Sequence, residues 1–417
     1  MLQITRETCA HRDRDDHLAF ARARFSLPDG VVYLDGNSLG ALPANTAARL
    51  AHAVNAEWGR GLIRSWNQAD WITLPQKVGA KIATLIGAKP DEVIAADSTS
   101  VNIFKLLAGA LTLARDADPA RRVILSETGN FPTDIYIAEG INSLFGGHFK
   151  IRLVDAAALE SSLDESVAVA LLTEVDYRTG HLHDMARLNA HAKKNGGRIL
   201  WDLSHSAGAV SVKLNDSGAE LAVGCGYKYL NGGPGAPAYA YVAKSLQAAF
   251  PTPLSGWFGH AAPFDFATSF KPAAGIERLQ CGTPSILAMQ ALDAGLDTFA
   301  DIDMAALREK SLALSDLFWQ LMDQHCREFG FACISPREHG RRGSQLSFTH
   351  EHAYAVTQAI IDRGVIGDFR QPNVLRFGFT PLYLRHTDIW DAVMIIRDVM
   401  LAGAWQTDRY QHRQKVT

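Results

Sequence analysis

Lys228 and Asp202 are the two residues whose type and setting say most about chemistry. Asp202 closes the apolar run RILWDLS (198–204), and Lys228 follows the next such run, AELAVGCGY (219–227). A carboxylate leaving a buried apolar strand is costly unless a cation or a proton donor meets it. Two readings of Asp202 stay open: a cap for the turn that follows, or a carboxylate holding a proton on a cofactor nitrogen. His205 lies three residues further on. Lys228 has a solvated reading and a catalytic one. Its neighbours Tyr227 and Tyr229 and the glycine-rich NGGPG would let a flat ligand approach. An apolar pocket lowers a lysine's pKa, and the free amine can form a Schiff base.

Three further segments carry groups of complementary kinds. Ser98-Thr99-Ser100 stands before a helical pattern, where hydroxyls and free N–H groups either cap the helix or bind phosphate. In TGNFPTDIY, Phe131 is a core residue or a ring that stacks on a planar ligand, with Asp134 beside it. Arg376, in NVLRFGFTPLY, has apolar neighbours and needs an anion. That anion is a structural carboxylate or a substrate's α-carboxylate. Lysine, aspartate, a hydroxyl-rich helix start, a stacking aromatic and a remote arginine together are the parts of pyridoxal phosphate chemistry.

These groups need elements to position them. EVIAAD (92–97), RVILSE (122–127), VAVALLTEV (167–175), RILWDLS and AELAVGCGY read as short strands covered on both faces. Ile103, Leu106, Leu107, Ala110 and Leu111 recur at helical spacing, and a second helix over about 184–195 stops at Gly196-Gly197. Strand–helix alternation predicts an α/β fold with a mostly parallel sheet and helices on both faces. In such sheets ligands sit outside the carboxyl ends of the strands, where the segments of Asp202, Lys228, Ser98–Ser100 and Phe131 lie, Arg376 coming from outside the sheet. A long helix over 303–326 and the segments RGSQLSF and NVLRFGF predict a smaller α+β domain. The expected division is an N-terminal segment (1–50) packing with the small domain, a large cofactor domain (51–295) and a small domain (296–417).

Composition narrows the function. A chain of 417 residues has room for two or three domains. Lys plus Arg total 41 against 44 Asp plus Glu, a near-balance that argues against a nucleic-acid partner. No apolar run is long enough for a membrane span, and the first twenty residues lack a signal peptide's apolar core. A soluble, cytoplasmic protein is expected. Cys9, Cys225, Cys281, Cys326 and Cys333 include no CxxC pair, so neither a disulfide framework nor a zinc site is expected. His181 and His183 are expected at the surface, and the segment after about 405 as a polar tail without a role.

YLDGNSLGALP, GNFPTD, WDLSHSAG, GCGYKYLNGGPG and LRFGFTPLY, in this order over residues 30–385, resemble kynureninase. That family comprises fold-type-I pyridoxal-phosphate hydrolases of tryptophan catabolism. The resemblance implies Lys228 as the Schiff-base lysine, Asp202 at the pyridine nitrogen with Asp134 in support, and Phe131 over the ring. It implies Thr99, Ser100, Tyr227 and Trp257 around the phosphate, with His205 and Thr173 beside the cofactor. Arg376 would grip the substrate carboxylate. Ser38, Trp66 and Thr283 would line the aryl pocket, with Thr283 reaching the cofactor site from a neighbouring subunit of a homodimer. Trp66 with Thr283 is similar to the bacterial type that prefers L-kynurenine to its 3-hydroxy analogue. Tyr227 is the candidate proton donor to the substrate carbon.

Rival readings have less support. A cysteine desulfurase needs a nucleophilic cysteine on a mobile loop, and Cys281, in a Gly-Thr-Pro turn, is the only candidate. A non-catalytic binding protein would not need both Lys228 and Arg376. A nicotinamide-dependent dehydrogenase lacks its glycine fingerprint, because Tyr229 stands where the third glycine belongs.

Overall fold

The computed structural model describes residues 4–413. Its centre is a seven-stranded sheet: β1 (Val93–Ala95), β2 (Val123–Glu127), β3 (Lys150–Val154), β4 (Val167–Thr173), β5 (Arg198–Asp202), β6 (Leu221–Gly224) and β7 (Tyr239–Val242). The spatial order is β1-β7-β6-β5-β4-β2-β3. All pairs are parallel except those of β7, which runs antiparallel to both β1 and β6.

The five expected strands are present. Two more join them. β3 is half-exposed and lies at the edge, so its sequence lacks the buried two-sided pattern. β7 is a four-residue run behind a Pro/Gly-rich segment.

Successive residues of a strand face opposite sides of the sheet. Ala170, Leu172, Ile199, Trp201, Ala222 and Tyr239 enter one core, whereas Val169, Leu171, Leu200, Val223 and Ala240 enter another. Two-sided burial explains why the strand sequences read as continuous apolar runs. The helix Thr99–Ala117 covers the second face, with Ile103, Leu106, Leu107, Ala110 and Leu111 fully buried. Each large member of that set contributes about 1.5–3 kcal/mol of transfer free energy. Ser98 caps this helix by accepting from the N–H of Val101. The helix Met185–Lys194 stops as expected, with Gly196 at φ 73°.

A second, antiparallel sheet is built from Ala332–Cys333, Gln345–Thr349, Asp368–Arg370 and Val374–Gly378. Near the N-terminus, Val32–Tyr33 pairs in parallel with Val365–Ile366, and Gly378 donates to the carbonyl of Leu34. The loop that follows then crosses to the large sheet. Gly40 donates to the carbonyl of Tyr227, and a Cβ at Gly40 would lie 2.4 Å from the Lys228 carbonyl oxygen. Glycine is required there for so close an approach.

The polar tail has a more definite place than expected. Trp405 stacks on His352 at 4.5 Å, and Tyr410 donates to Asp362. Residues 414–417, and the first three residues of the chain, lie outside the described residues. No described helix is long and apolar enough to cross a membrane.

The helix Arg6–Arg14 packs on the helix His386–Leu401, and Asp13 closes the contact. Its carboxylate accepts from the backbone N–H groups of His386 (2.6 Å) and Thr387 (3.1 Å) and from the Thr387 hydroxyl (2.7 Å). Burial raises its pKa, but the His386 imidazole, with Nδ1 3.0 Å from Oδ1, and then these hydrogen bonds outweigh burial and hold it well below the carboxylate range. A depressed folded-state pKa adds stability above the unfolded value, lost as pH falls through the folded one. Asp13→Ala is therefore expected to cost about 1–2 kcal/mol at pH 7, as for a lost helix cap. Melting temperatures followed across pH should show a constant deficit above about pH 5 that narrows below about pH 4.

Candidate active site

The carboxyl ends of the central strands, and the loops after them, converge on one cavity of about 240 Å³. Thr99 and Ser100 enter it from the helix start after β1, Phe131 and Asp134 from the turn after β2, and Thr173 from the end of β4. Asp202 and His205 follow from β5, and Tyr227 and Lys228 from the segment after β6. Thr173 and Asp202 are register partners and so face the same side. Nine of the expected site residues thus share one wall.

Lys228 Nζ lies 3.0 Å from His205 Nε2, and His205 Nδ1 lies 3.2 Å from Gln345 Oε1. Burial first, then the charges of Lys228 and Arg376, push the imidazole well below its usual pKa. A neutral ring with Nδ1–H donated to the amide oxygen leaves Nε2 to accept from Lys228. Gln345 comes from the small sheet and donates its own N–H to the Tyr177 carbonyl (2.9 Å).

Two carboxyls line the cavity with the lysine. Asp202 accepts from the N–H of Ser204 (2.8 Å), and Asp134 Oδ2 is buried with no partner. Both are raised above the carboxylate range by burial, and Asp134 further by Asp202, while Lys228 pulls both down. This is an environment that calls for a cationic or N–H-bearing group.

A second cavity of about 610 Å³ shares Tyr227 with the first and is lined by Ser38, Ser98, Cys281 and Thr283. Lys105, fully buried, ties its walls together by binding Asp97 Oδ2 (2.7 Å) and the Leu279 carbonyl (2.6 Å). Arg376 is 1% exposed and anchored rather than free. Its Nε donates to Asp368 Oδ1 (2.7 Å), Nη2 to Asp368 Oδ2 and Ser38 Oγ, and Nη1 to the Tyr177 carbonyl. Trp66 and Trp257 line neither cavity. They lie on an aromatic strip, both rings against Phe258.

Residues 307–396 match the family model of the kynureninase C-terminal domain. The whole chain is 52% identical over 414 residues to the kynureninase of Burkholderia pseudomallei (strain K96243), covering 99% of this chain and 100% of that one. The kynureninase of Pseudomonas fluorescens is 49% identical over the same shares.

The chain belongs to the kynureninase family.

Among solved structures, the apo cysteine desulfurase of Thermococcus onnurineus NA1 superposes with a TM-score of 0.77 at 18% identity, covering 92% of this chain and 98% of that one. A mutant of C-DES with glycine covalently linked to its PLP cofactor gives 0.77 at 16%, covering 90% and 98%. These likenesses concern the fold, which is that of the fold-type-I PLP-dependent enzymes.

Within this kynureninase-family site several residues were not anticipated from sequence. Tyr177 sets its ring edge-on to Phe131 at 5.3 Å and offers its carbonyl to both Gln345 and Arg376. Asp368 is the cross-strand register partner of Arg376, a pairing that a hairpin between the two segments would have suggested. Glu174, next to Thr173, is buried, and burial pushes its carboxyl up to about 7. His183 corrects an expectation: it is buried, not a surface residue, and bonds Glu127 Oε2 at 2.8 Å. Glu127 ends a neighbouring strand, close in space but far along the chain. The described residues contain no cluster of three or more metal-ligating side chains.

Removing one partner of a buried ion pair strands the other's charge, at a cost of about 3–5 kcal/mol. Asp368→Ala should destabilise the protein by that amount in denaturant unfolding, whereas Arg6→Ala, at the exposed pair with Asp391, should cost under about 1 kcal/mol.

Proposed function

We propose that this chain is a kynureninase, hydrolysing the Cβ–Cγ bond of L-kynurenine to anthranilate and L-alanine with pyridoxal 5′-phosphate as cofactor. One observation carries the reading. A lysine, two partnerless or underpartnered carboxyls, a capped helix start and an aromatic ring line a single cavity. The buried, orphaned Asp134 Oδ2 and the raised Asp202 fit a ring nitrogen that brings a proton. When bound, the cofactor supplies an electron-withdrawing ring that accepts the electrons released at the substrate's α-carbon.

The chain's own residues do the rest. Lys228 would hold the cofactor, and its amine is the group in the cavity that could move the substrate's α-proton. Neutral His205 accepts from Nζ and keeps the lysine aimed without adding a second positive charge. Thr99, Ser100 and Tyr227 hold the phosphate at the start of the helix Thr99–Ala117, where backbone N–H groups favour an anion. Phe131 and Thr173 line the same cavity and would contact the cofactor's ring. Asp202 and Asp134 keep its nitrogen protonated. Arg376 takes the substrate carboxylate, with Ser38 beside it. Tyr227 stays protonated because burial raises its pKa, so it can donate a proton to the leaving carbon.

Trp257 and Thr283 stand outside the smaller cavity, and Trp257, Phe264 and Phe266 expose apolar rings. Both facts support a homodimer in which a neighbouring copy brings such residues to the cofactor. Trp66 and Thr283 then shape the aryl pocket in favour of L-kynurenine over its 3-hydroxy analogue, in cytoplasmic tryptophan catabolism. Cys281 offers little to a desulfurase, because burial pushes its thiol pKa up and disfavours the nucleophilic thiolate.

The fluorescence of anthranilate tests this directly. The purified enzyme with pyridoxal phosphate should release it from L-kynurenine faster than its hydroxy counterpart from 3-hydroxykynurenine, and should release no sulfide from L-cysteine. Lys228→Ala should lose both the visible absorption of the bound cofactor and turnover. Tyr227→Phe should keep that absorption while kcat falls about 10²–10⁴-fold, and an unchanged kcat would remove Tyr227 as the proton donor.

A further inference from the structure

Arg376, the arginine expected to meet the substrate, has little left to offer. A guanidinium is a fork of N–H donors. In Arg376 the Nε proton and both Nη2 protons go to Asp368 and Ser38, and one Nη1 proton goes to the Tyr177 carbonyl. A single N–H remains, on a side chain that is 1% exposed. Bidentate capture of a carboxylate needs two donors.

Arg370 stands beside it. It faces the same Asp368 Oδ2 at 2.8 Å and donates to the same Ser38 Oγ at 3.3 Å. Its side chain is 35% exposed, and Nε together with one Nη1 proton has no partner among the described residues. Its charge acts on His205 and Tyr227, and it is itself influenced by Tyr177, all three of which line the smaller cavity.

The charge balance points the same way. Asp35 is half-buried near Asp368, with Oδ1 buried and unpartnered. Burial, and then repulsion from Asp368, raise its carboxyl to about 8, so it is mostly uncharged at neutral pH. Two guanidiniums are then opposed by one carboxylate. One positive charge is left over, and the exposed member of the pair is Arg370. A single bound carboxylate neutralises it.

We propose that Arg370 is a second carboxylate-binding residue of this site, taking the substrate's α-carboxylate together with the free N–H of Arg376. This rests on the amino-acid-binding reading given above. It differs from that reading in assigning the accessible cation to Arg370 and a mainly organising role to the buried Arg376–Asp368 pair.

The test uses Arg370→Gln and Arg370→Lys holoenzymes, each checked for an unaltered visible cofactor band and melting temperature. Two ligand pairs separate charge from fit: L-kynurenine with its methyl ester by steady-state kinetics, and L-alanine with L-alaninamide by spectral titration. Arg370→Gln should raise the KM for L-kynurenine and the Kd for L-alanine about 10–100-fold, and change the values for the ester and amide less than about threefold. Arg370→Lys should recover part of the loss. Unchanged values for the two acids overturn the proposal, as does an equal loss for acids and neutral analogues. Should wild-type enzyme bind L-alanine but not turn over L-kynurenine, the reaction assignment fails while the alanine titration still judges Arg370.

Discussion

The buried ion pair between Arg376 and Asp368 is the constraint on which the rest of the site depends. Neither charge can remain in the interior alone, so whatever satisfies them must be delivered there by folding. Ser38 arrives on the loop whose Gly40 also bonds the Tyr227 carbonyl beside Lys228, and the Tyr177 carbonyl arrives from beyond the end of β4. Three segments far apart in the chain therefore meet at one guanidinium. The two sheets hold a common geometry because their polar groups have no other place to be satisfied.

The same logic orders the titratable groups around Lys228. Burial is the largest influence raising the pKa values of Asp202 and Asp134 and lowering that of His205, which favours their neutral forms. The imidazole resolves its position by hydrogen bonding across the two sheets to Gln345. Asp134 is left with an unpartnered oxygen. Among the buried polar atoms without a partner, this one belongs to a residue that lines the cavity, where the chemistry needs a proton-bearing ligand.

Much of the seven-stranded sheet was legible because both of its faces are covered. That burial writes continuous apolar runs into β2, β4, β5 and β6, and the residues closing β4 and β5, with the segments just after β2 and β6, line the cavity. β3 was not legible, since an edge strand with half-exposed residues carries no such run. His183 was misread for a related reason. Its partner Glu127 is a neighbour only through strand order, which local sequence does not state.

What the sequence by itself determined was the chemical inventory and the edge on which it gathers. A parallel sheet places the carboxyl ends of its strands together, so Lys228, Asp202, Thr173 and the segments around Thr99 and Phe131 had to converge. Only the tertiary structure decided how those groups are partnered. It tied Arg376 to Asp368, Ser38 and Tyr177, left Arg370 with donors to spare, neutralised His205 through burial and the charge of Lys228, and set Trp66 and Trp257 apart from the cavity. Partnership depends on distances of about 3 Å between segments from different sheets. Packing sets those distances, and spacing along the chain does not encode them.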